Sequence, residues 1–173
     1  PIAGSERSGA VAASASLFRG RQVVLTPLPE TDPAAIACVR ERWTQCGAIV
    51  TLLDAERHDT LLSAVSHLPH LLAFALIGDL AERPDVADYW RVAGTGLRDF
   101  TRLAESHPAM WRDICIANAA RLRVDLSAYR TELERIDAML ARADGVALGA
   151  LFARSRDARA AWLAGSPGGD DVD

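Results

Sequence analysis

Hydrophobic positions follow two different periods along this chain, and strands give way to helices partway through it. A β-branched run over 22–26 and a second apolar run over 48–53 each have the length and composition of a buried strand. Between them, Asp32 offers an N-cap, Pro33 the first helical position, and Gly47 a helix end. This order predicts a βαβ unit with parallel strands. Because two strands alone make no stable sheet, they either complete a larger sheet or pack on the helices and pair across a dimer.

After the second predicted strand, every periodic segment is helical. The spacing of apolar residues predicts helices over 54–80, with a kink at Pro69, and over 86–90, 97–105, 107–142 and 146–163. The helix over 107–142 would measure about 50 Å at 1.5 Å per residue, which is longer than a small domain needs. Helices of that length usually pack against a second copy, so we expect a homodimer. Residues 165–173 are rich in Gly and Asp and are expected to be disordered.

Composition describes an ordinary globular chain and excludes several classes of function. Of the 173 residues, 50% are hydrophobic and 24% are charged, so a sizeable core is possible. The net charge of −4 gives no reason to expect a nucleic-acid partner. The longest apolar run, over 68–77, is interrupted by Pro69 and His70 and is shorter than a membrane span, so no membrane partner is expected. All nineteen basic residues are arginine, which excludes Schiff-base chemistry and a P-loop lysine.

The cysteines and the chain start bear on the cellular compartment. Cys38 and Cys46 are eight residues apart on a predicted helix, about 12 Å, which is too far for a disulfide. With Cys115 they form no metal-binding spacing, so we interpret all three as reduced, semi-buried thiols of a cytoplasmic protein. The chain shows no signal peptide and begins with Pro1 rather than Met, which indicates a piece of a longer polypeptide.

The densest polar cluster lies within apolar sequence at 66–70. His67 and His70 are three residues apart on roughly one helical face, and Ser66 precedes them. Three interpretations stay open, namely imidazoles satisfied by backbone or carboxylates, a substrate-binding pair, or part of a metal site. His58 and Asp59 lie two or three turns upstream, but no His-Glu-x-x-His pattern supports zinc, so no metal is predicted.

Two further stretches have the composition of ligand-binding loops. A glycine-rich turn at 94–96 opens a helix and would present free backbone N–H groups to an anion. Arg98 and Arg102 share a face of that helix, and Asp99 is placed to orient one of them. The first nine residues are mostly small, with an acid at Glu6, and suggest a tight loop near a ligand. Either stretch is equally consistent with a solvated turn or a flexible end.

Five segments occur in one order that resembles the prephenate dehydrogenase family, which includes arogenate and cyclohexadienyl dehydrogenases. They are Pro-Ile-Ala-Gly-Ser-Glu-x-Ser-Gly at the start, Leu-Phe-x-Gly-x-x-Val-Val-Leu-Thr-Pro from 17, Ser-His-Leu-Pro-His at 66–70, Arg-Asp-Phe-Thr-Arg-Leu-Ala from 98, and Met-Trp-Arg-Asp-Ile from 110. The resemblance covers about residues 1–163. It implies a mainly α fold, with the end of a Rossmann-type nucleotide-binding domain over 1–54 and an all-helical dimerisation domain over 55–164.

The same resemblance implies the reaction and the residues of the site. Prephenate would be oxidatively decarboxylated to 4-hydroxyphenylpyruvate in tyrosine biosynthesis, with NAD or NADP taking the hydride. Arg102 would grip a carboxylate of prephenate or arogenate. The other implied substrate contacts are Ser66, His70, Thr95 and His58; the implied gating network is Glu6, Arg98 and Asp99; and the supporting positions are Trp43, Asp59 and His67.

Several departures from the family pattern set limits on this expectation. The family's catalytic histidine immediately precedes the residue that is Pro1 here, and no Gly-x-Gly-x-x-Gly fingerprint occurs in the sequence. The family usually has lysine at the position of Arg98 and often glycine at that of Thr95. We therefore expect the 173 residues by themselves to be inactive. The alternative hypothesis is a non-catalytic helical dimer that binds prephenate or tyrosine.

Overall fold

The computed structural model describes residues 1–3, 9 and 13–165. Glu6 and the predicted disordered tail beyond residue 165 lie outside the described residues. The chain divides into two compact units, 1–126 and 127–173. Buried apolar side chains of the first unit include Val23, Ala48, Ala73, Trp111 and Leu122, and Met139 is buried in the second.

The predicted βαβ unit is present. Strand β1 (Gln22–Leu25) pairs in parallel with β2 (Ile49–Leu52), with Val23 opposite Val50, and helix α1 (Pro33–Gln45) connects them. On the other side of β1, the Ile2 N–H donates to the Gln22 carbonyl at 2.7 Å, so the first residues run beside the sheet. Val23 is only 1% exposed and anchors the strand pair.

The ends of α1 follow the predicted capping residues. An Asp32 carboxylate oxygen accepts from the Ala34 N–H at 2.8 Å, and Pro33 occupies the first turn. After the helix, Gly47 has a φ of 81°, where a Cβ would also lie 3.3 Å from the Arg19 Cα. Glycine is therefore required at this turn, because both backbone conformation and close approach disfavour a side chain.

The long helical stretch contains a π-helical turn rather than a simple proline kink. Helix α2 (Ala55–Leu62) leads into a π-helical turn (Ser63–His67), and α3 (Leu68–Ala81) follows with Pro69 in its first turn. The Leu68 N–H donates to the Ser63 carbonyl, five residues back. Because Pro69 has no N–H to continue the α-helical ladder, the wider turn absorbs the mismatch and the helix goes on.

The helical stretch from α2 to α3 is long and apolar enough to span a membrane. Residues Ala55–Ala81 form 27 helical residues with a mean hydropathy of 1.6 in an 18-residue window, so by length and composition they could cross a membrane. The prediction that no apolar run reaches this length is wrong, because the helix continues through Pro69. Core helices of multi-helix proteins pass the same test. Only 11% of the window is buried within the chain itself, so much of its apolar surface faces outward.

The remaining helices follow the predicted order with one correction. They are α4 (Val86–Val92), α5 (Thr95–Thr101), a 3-10 turn (Arg102–Glu105), α6 (Pro108–Ala117), α7 (Ala119–Ala141) and α8 (Gly145–Gly165). The predicted single helix over 107–142 is wrong, because Asn118, with φ −108° and ψ 25°, separates α6 from α7. No single helix in the described residues therefore has the length of about 50 Å from which a homodimer was predicted.

The cysteines are free, as predicted, but their burial differs from the prediction. Cys38 and Cys46 are exposed, and Cys115 is half-buried. Burial raises the pKa of the Cys115 thiol. Of the three thiols only Cys115 is therefore semi-buried, because Cys38 within α1 and Cys46 at its C-terminal cap are both exposed.

Candidate functional site

A cleft of about 780 Å³ separates the strand pair from the helices within the first unit. The first three residues, Gln22 and Thr51 line it on the strand side. Ser66, His67 and Trp111 are among its helical residues. The cleft therefore lies where the chain start meets the predicted Ser-His-Leu-Pro-His cluster, and its lining combines apolar surface with a few polar groups, as small-molecule sites do.

The π-helical turn that carries this cluster is fixed by a buried hydrogen bond. Ser63 is fully buried, and its hydroxyl donates to an Asp125 carboxylate oxygen on α7 at 2.5 Å. Asp125 is half-buried. Turns of this kind recur at functional sites because the extra residue changes which side chains a helix presents. The Ser63–Asp125 pair therefore holds the segment from which Ser66 and His67 reach the cleft.

The surroundings of His67 favour its uncharged imidazole. Its Nδ1 lies 3.3 Å from the Asn118 side-chain nitrogen, and its ring meets Trp111 edge-on with centroids 6.2 Å apart. Burial lowers the pKa of His67 below its usual value of 6.5; the charge of Asp59 opposes this effect, whereas His58 and His70 add to it. The folded chain therefore favours the uncharged imidazole at this position.

His70 is stacked rather than solvated. Its ring lies parallel to Trp111, with centroids 3.4 Å apart and an interplanar angle of 16°. Its Nδ1 donates to the Ser66 carbonyl at 2.9 Å, since a carbonyl can only accept. Burial lowers the pKa of His70; the bond to Ser66 opposes this and the charge of Arg102 adds to it. The Trp111 ring thus stacks on His70 and contacts His67 edge-on.

His58 and Asp59 form their own pair beside this cluster. The His58 Nδ1 lies 2.9 Å from an Asp59 carboxylate oxygen, and both residues are half-buried. Among the described residues, no group of three or more His, Cys, Asp and Glu side chains is arranged to hold a metal ion. The pair is therefore best understood as an electrostatic neighbour of His67.

The arginine segment is exposed and lies close to α3. Helix α5 begins at Thr95 with Gly94 as its N-cap, and the 3-10 turn that starts at Arg102 packs against α3. Arg102 begins this tighter turn and does not continue α5. The two arginines therefore do not share one face of a single α-helix, as was predicted. Within the described residues, no side-chain hydrogen bond or ion pair joins Asp99 to either arginine, so the expected orienting contact is not formed there. The charge of Arg102 nevertheless acts on His70.

Two other predicted positions lie apart from this cluster or outside the described chain. Trp43 packs edge-on against Phe18 with ring centroids 4.9 Å apart, which makes it a packing residue of α1. Glu6 lies outside the described residues, so its expected place in the gating network stays a prediction. The predicted residues that lie around the cleft or next to its imidazoles are thus Ser66, His58, Asp59, His67, His70 and Arg102.

Three residues of this neighbourhood were not assigned a role from sequence. Asn118 and Trp111 each occupied a place in an apolar stripe, and Asp125 stood beside that stripe. A polar amide inside an apolar stripe is the signal that points to Asn118, since a buried polar group needs partners. Trp111 carries a buried ring N–H that has no partner within the described residues.

The 173 residues contain no Gly-x-Gly-x-x-Gly dinucleotide fingerprint. The only Gly-x-Gly in the sequence, at 94–96, is followed by Leu97, Arg98 and Asp99, so the third glycine of the fingerprint is missing. It also opens a short helix in the helical part rather than following a strand. This Gly-x-Gly therefore lacks both the third glycine and the strand-to-helix position that a pyrophosphate-binding fingerprint requires.

Comparison with known proteins identifies the relatives of this chain. The family model for the dimerization domain of prephenate dehydrogenase matches residues 54–154, and that for its nucleotide-binding domain matches residues 1–52. The cyclohexadienyl dehydrogenase of Zymomonas mobilis is 37% identical over 163 residues, which cover 93% of this chain and 56% of the relative. The prephenate dehydrogenase of Bacillus subtilis is 32% identical, over 92% of this chain and 43% of the relative. The chain spans about half the length of these curated relatives.

Solved structures agree with this relationship. Prephenate dehydrogenase from Aquifex aeolicus, in complex with hydroxyphenyl propionate and NAD+, superposes with a TM-score of 0.85 and 34% identity, over 92% of this chain and 56% of that one. Arogenate dehydrogenase from Synechocystis gives a TM-score of 0.80 and 27% identity, over 94% of this chain and 59% of that one. Because the family models match both segments of the chain, it belongs to the prephenate dehydrogenase family.

Proposed function

We propose that this chain supplies the substrate-binding and dimerising part of an NAD(P)-dependent prephenate or arogenate dehydrogenase of tyrosine biosynthesis. In this proposal, residues 1–54 complete a Rossmann-type nucleotide-binding sheet and 55–164 form the helical domain of a cytoplasmic enzyme. The observation that carries the proposal is the cleft between the chain start and the π-helical turn, lined by Ser66 and His67. The related Aquifex aeolicus enzyme holds hydroxyphenyl propionate, a close relative in shape of the expected product.

The reaction asks the protein mainly to orient its substrate. As a prephenate dehydrogenase, the enzyme would break the bond between the ring and its carboxylate, release CO2, and pass a hydride from the ring carbon that bears the hydroxyl to the dinucleotide. The electron pair of the broken bond enters the ring, and aromatisation makes the step favourable. Positioning and charge complementarity therefore carry the protein's contribution.

The residues of this chain have distinct tasks in that scheme. Arg102 offers a planar guanidinium that pairs with a carboxylate through two hydrogen bonds. His70 is fixed by Trp111 and Ser66, so its Nε2 can meet a polar substrate group at a constant angle. Arg98 keeps the positive charge usual at its position but has a forked, bulkier head than lysine, which would alter the gate formed with Asp99 and Glu6.

Dimerisation is supported by apolar surface that the single chain leaves uncovered. The first unit exposes much of the Ala55–Ala81 helical stretch. In the second unit, Leu133, Leu140, Val146 and Phe152 are between 47% and 86% exposed. Apolar side chains in such numbers on a single protomer are typical of an interface. A second copy would cover them, in keeping with the dimerization-domain model that matches residues 54–154.

The alternative is a helical dimer that binds prephenate or tyrosine without catalysis. It is favoured by the lack of a dinucleotide fingerprint in the 173 residues. The two proposals differ in the reading frame upstream of Pro1. A Gly-x-Gly-x-x-Gly strand-helix unit that ends in histidine just before Pro1 supports the dehydrogenase, whereas a start codon at this point supports the binding module.

The activity test is an absorbance assay at 340 nm with prephenate and either dinucleotide. The protein encoded by the open reading frame that carries this sequence is expected to reduce the dinucleotide. The 173 residues alone are expected to show no reduction. Turnover by the 173 residues alone would contradict the assignment of dinucleotide binding to other residues. No turnover by the open reading frame, together with tyrosine binding to it, would favour the alternative.

A further inference from the structure

Asn118 links the π-helical turn to two other parts of the fold. The residue is 6% exposed and lies at the interruption between α6 and α7. Its side-chain Nδ2 donates to the Asp59 carbonyl on α2 at 2.7 Å and lies 3.3 Å from the Nδ1 of His67. Both partners are more than fifty residues away along the chain. The amide is thus placed to control an imidazole that lines the cleft.

The contact with Asp59 fixes which way the amide points. A backbone carbonyl oxygen only accepts hydrogen bonds, so the Asn118 atom 2.7 Å from it is the NH2 group. The reversed amide would place two oxygens against each other. The second hydrogen of the same NH2 group is then available to His67, and Nδ1 must meet it with a lone pair, because a protonated Nδ1 would put two donors face to face.

We infer that Asn118 is a positioning residue, which holds neutral His67 as the tautomer protonated at Nε2. His67 lines the cleft, and its Nε2 has no hydrogen-bond partner within the described residues. The ring therefore offers the cleft a hydrogen-bond donor and no base. The ligand group that suits it is an acceptor, a carboxylate or carbonyl oxygen, and the identity of that ligand rests on the proposed function.

His70 provides the opposite chemistry three residues away. Its Nδ1 donates to the Ser66 carbonyl, so in the neutral ring the proton sits on Nδ1 and the lone pair on Nε2. Two imidazoles of one helical segment are thereby fixed in different tautomers by different partners. His67 donates to a ligand oxygen, and His70 is the ring of the two that can accept a proton from a ligand hydroxyl.

Several charged or titratable groups act on His67. Asp59 favours a protonated ring, but its carboxylate is paired with His58 at 2.9 Å. His58 and His70 disfavour a second positive charge, and burial acts in the same direction. Trp111 and Asn118 contribute no net charge on the remaining sides. The neutral ring that the amide contact requires is therefore also the form favoured by its surroundings.

The test is long-range proton–nitrogen NMR on the full chain, which reports the tautomer of each histidine ring. The wild-type spectrum should show His67 protonated at Nε2 and His70 at Nδ1. Asn118→Asp replaces the donor by an acceptor, so the His67 proton should move to Nδ1 and its pKa should rise. Asn118→Ala removes the restraint and should give a mixture of tautomers.

A matched control separates this role from general packing. Arg121→Gln removes the bond from the Arg121 Nε to the Thr60 hydroxyl at 3.2 Å, which also joins α7 to α2 but does not touch His67. It should leave the tautomers unchanged. A wild-type ring protonated at Nδ1, or an unchanged pattern in Asn118→Ala, would overturn the inference. If the Asp variant does not fold, the wild type and the Ala variant still decide.

A ligand titration distinguishes this inference from the proposed function. Adding prephenate should shift the His67 Nε2–H signal, and His67→Gln, which keeps a donor, should bind prephenate about as well as wild type. His67→Leu should bind it about tenfold more weakly, the loss expected for one hydrogen bond. No response of any signal to prephenate contradicts the proposed function while the tautomer result stands. Equal affinities of the Gln and Leu variants would refute the donor role.

Discussion

Replacing Ser63 by alanine removes the hydroxyl that ties the π-helical turn to α7. Ser63 is fully buried, and its hydroxyl donates to the half-buried Asp125 carboxylate at 2.5 Å. The substitution deletes a single oxygen, so the change in packing volume is small. The main effect is that a carboxylate held inside the first unit loses its hydrogen-bond donor.

The size of this effect follows from the charge of the acceptor. A hydrogen bond to a charged group contributes about 1.5–3 kcal/mol, more than a neutral pair. Ser63→Ala should therefore lower the free energy of unfolding by about 1.5–3 kcal/mol, a factor of about 10 to 150 in the ratio of folded to unfolded chain. Asp125→Asn keeps an oxygen acceptor and should cost less, about 1 kcal/mol.

Urea unfolding monitored by tryptophan fluorescence measures these differences at one fixed protein concentration, because a dimer's apparent stability depends on concentration. The double variant Ser63→Ala with Asp125→Ala should cost less than the sum of the single variants, since each single change leaves one partner unsatisfied. Thr131→Ala is the control; its exposed hydroxyl donates to the Ser127 carbonyl within α7, and its loss should change stability by less than about 0.5 kcal/mol. Additive costs, or a Ser63→Ala cost equal to the control, would refute the reasoning.

Three further predictions concern titration, thiols and assembly. Burial lowers the pKa of His67 and His70, so the unfolded chain binds more protons near the usual value of 6.5. The free energy of unfolding should therefore fall as the pH drops from about 7.5 to about 5.5. Urea titrations at several pH values should show a weaker pH dependence for His70→Gln than for the wild type. The same dependence of the unfolding free energy on pH in both proteins would contradict this. A colorimetric thiol reagent should label the exposed Cys38 and Cys46 quickly and the half-buried Cys115 slowly, and Cys115→Ser should abolish the slow phase; one common rate would argue against this burial. Analytical ultracentrifugation should give twice the 18.6 kDa chain mass, whereas a monomer at micromolar concentration would count against the uncovered apolar faces being a dimer interface.

The elements that sequence predicted correctly are those determined by neighbouring residues. Asp32 and Pro33 start α1, and Gly47 ends the turn after it, through contacts within a few positions. His107 and Pro108 start α6 in the same way, with the His107 ring accepting from the Met110 N–H at 3.5 Å. Local capping chemistry was therefore sufficient to predict these helix ends, and the apolar runs were sufficient to predict the strand pair.

The elements that sequence missed depend on distant partners. The spacing of apolar residues continues unchanged across Asn118 and so does not predict a break there. The partners of Asn118, Asp59 and His67, lie more than fifty residues away. Pro69 correctly signalled a disturbance, but whether it produced a kink or a π-helical turn depended on the bond from Ser63 to a distant helix. Such tertiary contacts override a local pattern.

The cluster of candidate residues was predicted better than its geometry. Ser66, His67 and His70 stood out as polar residues in an apolar segment, and the structure gathers them at one cleft or beside it. The stacking of His70 on Trp111 joins residues of two helices and has no signature in either segment alone. The sequence therefore predicted which residues form the cluster. The orientation of the rings and their protonation depend on tertiary contacts that the sequence does not show.

Calorimetric titration of prephenate tests the central claim that this cleft binds the substrate of a prephenate dehydrogenase. Wild-type chain should bind one prephenate, and Arg102→Ala should weaken binding by about 2–5 kcal/mol, because a carboxylate would lose a bidentate partner. Arg91→Ala is the matched control, since that exposed arginine pairs with Asp88 at 2.6 Å and lies in α4. The account predicts unchanged affinity for this control. Equal affinities of the wild type and Arg102→Ala, or no binding of prephenate by the wild type, would contradict it.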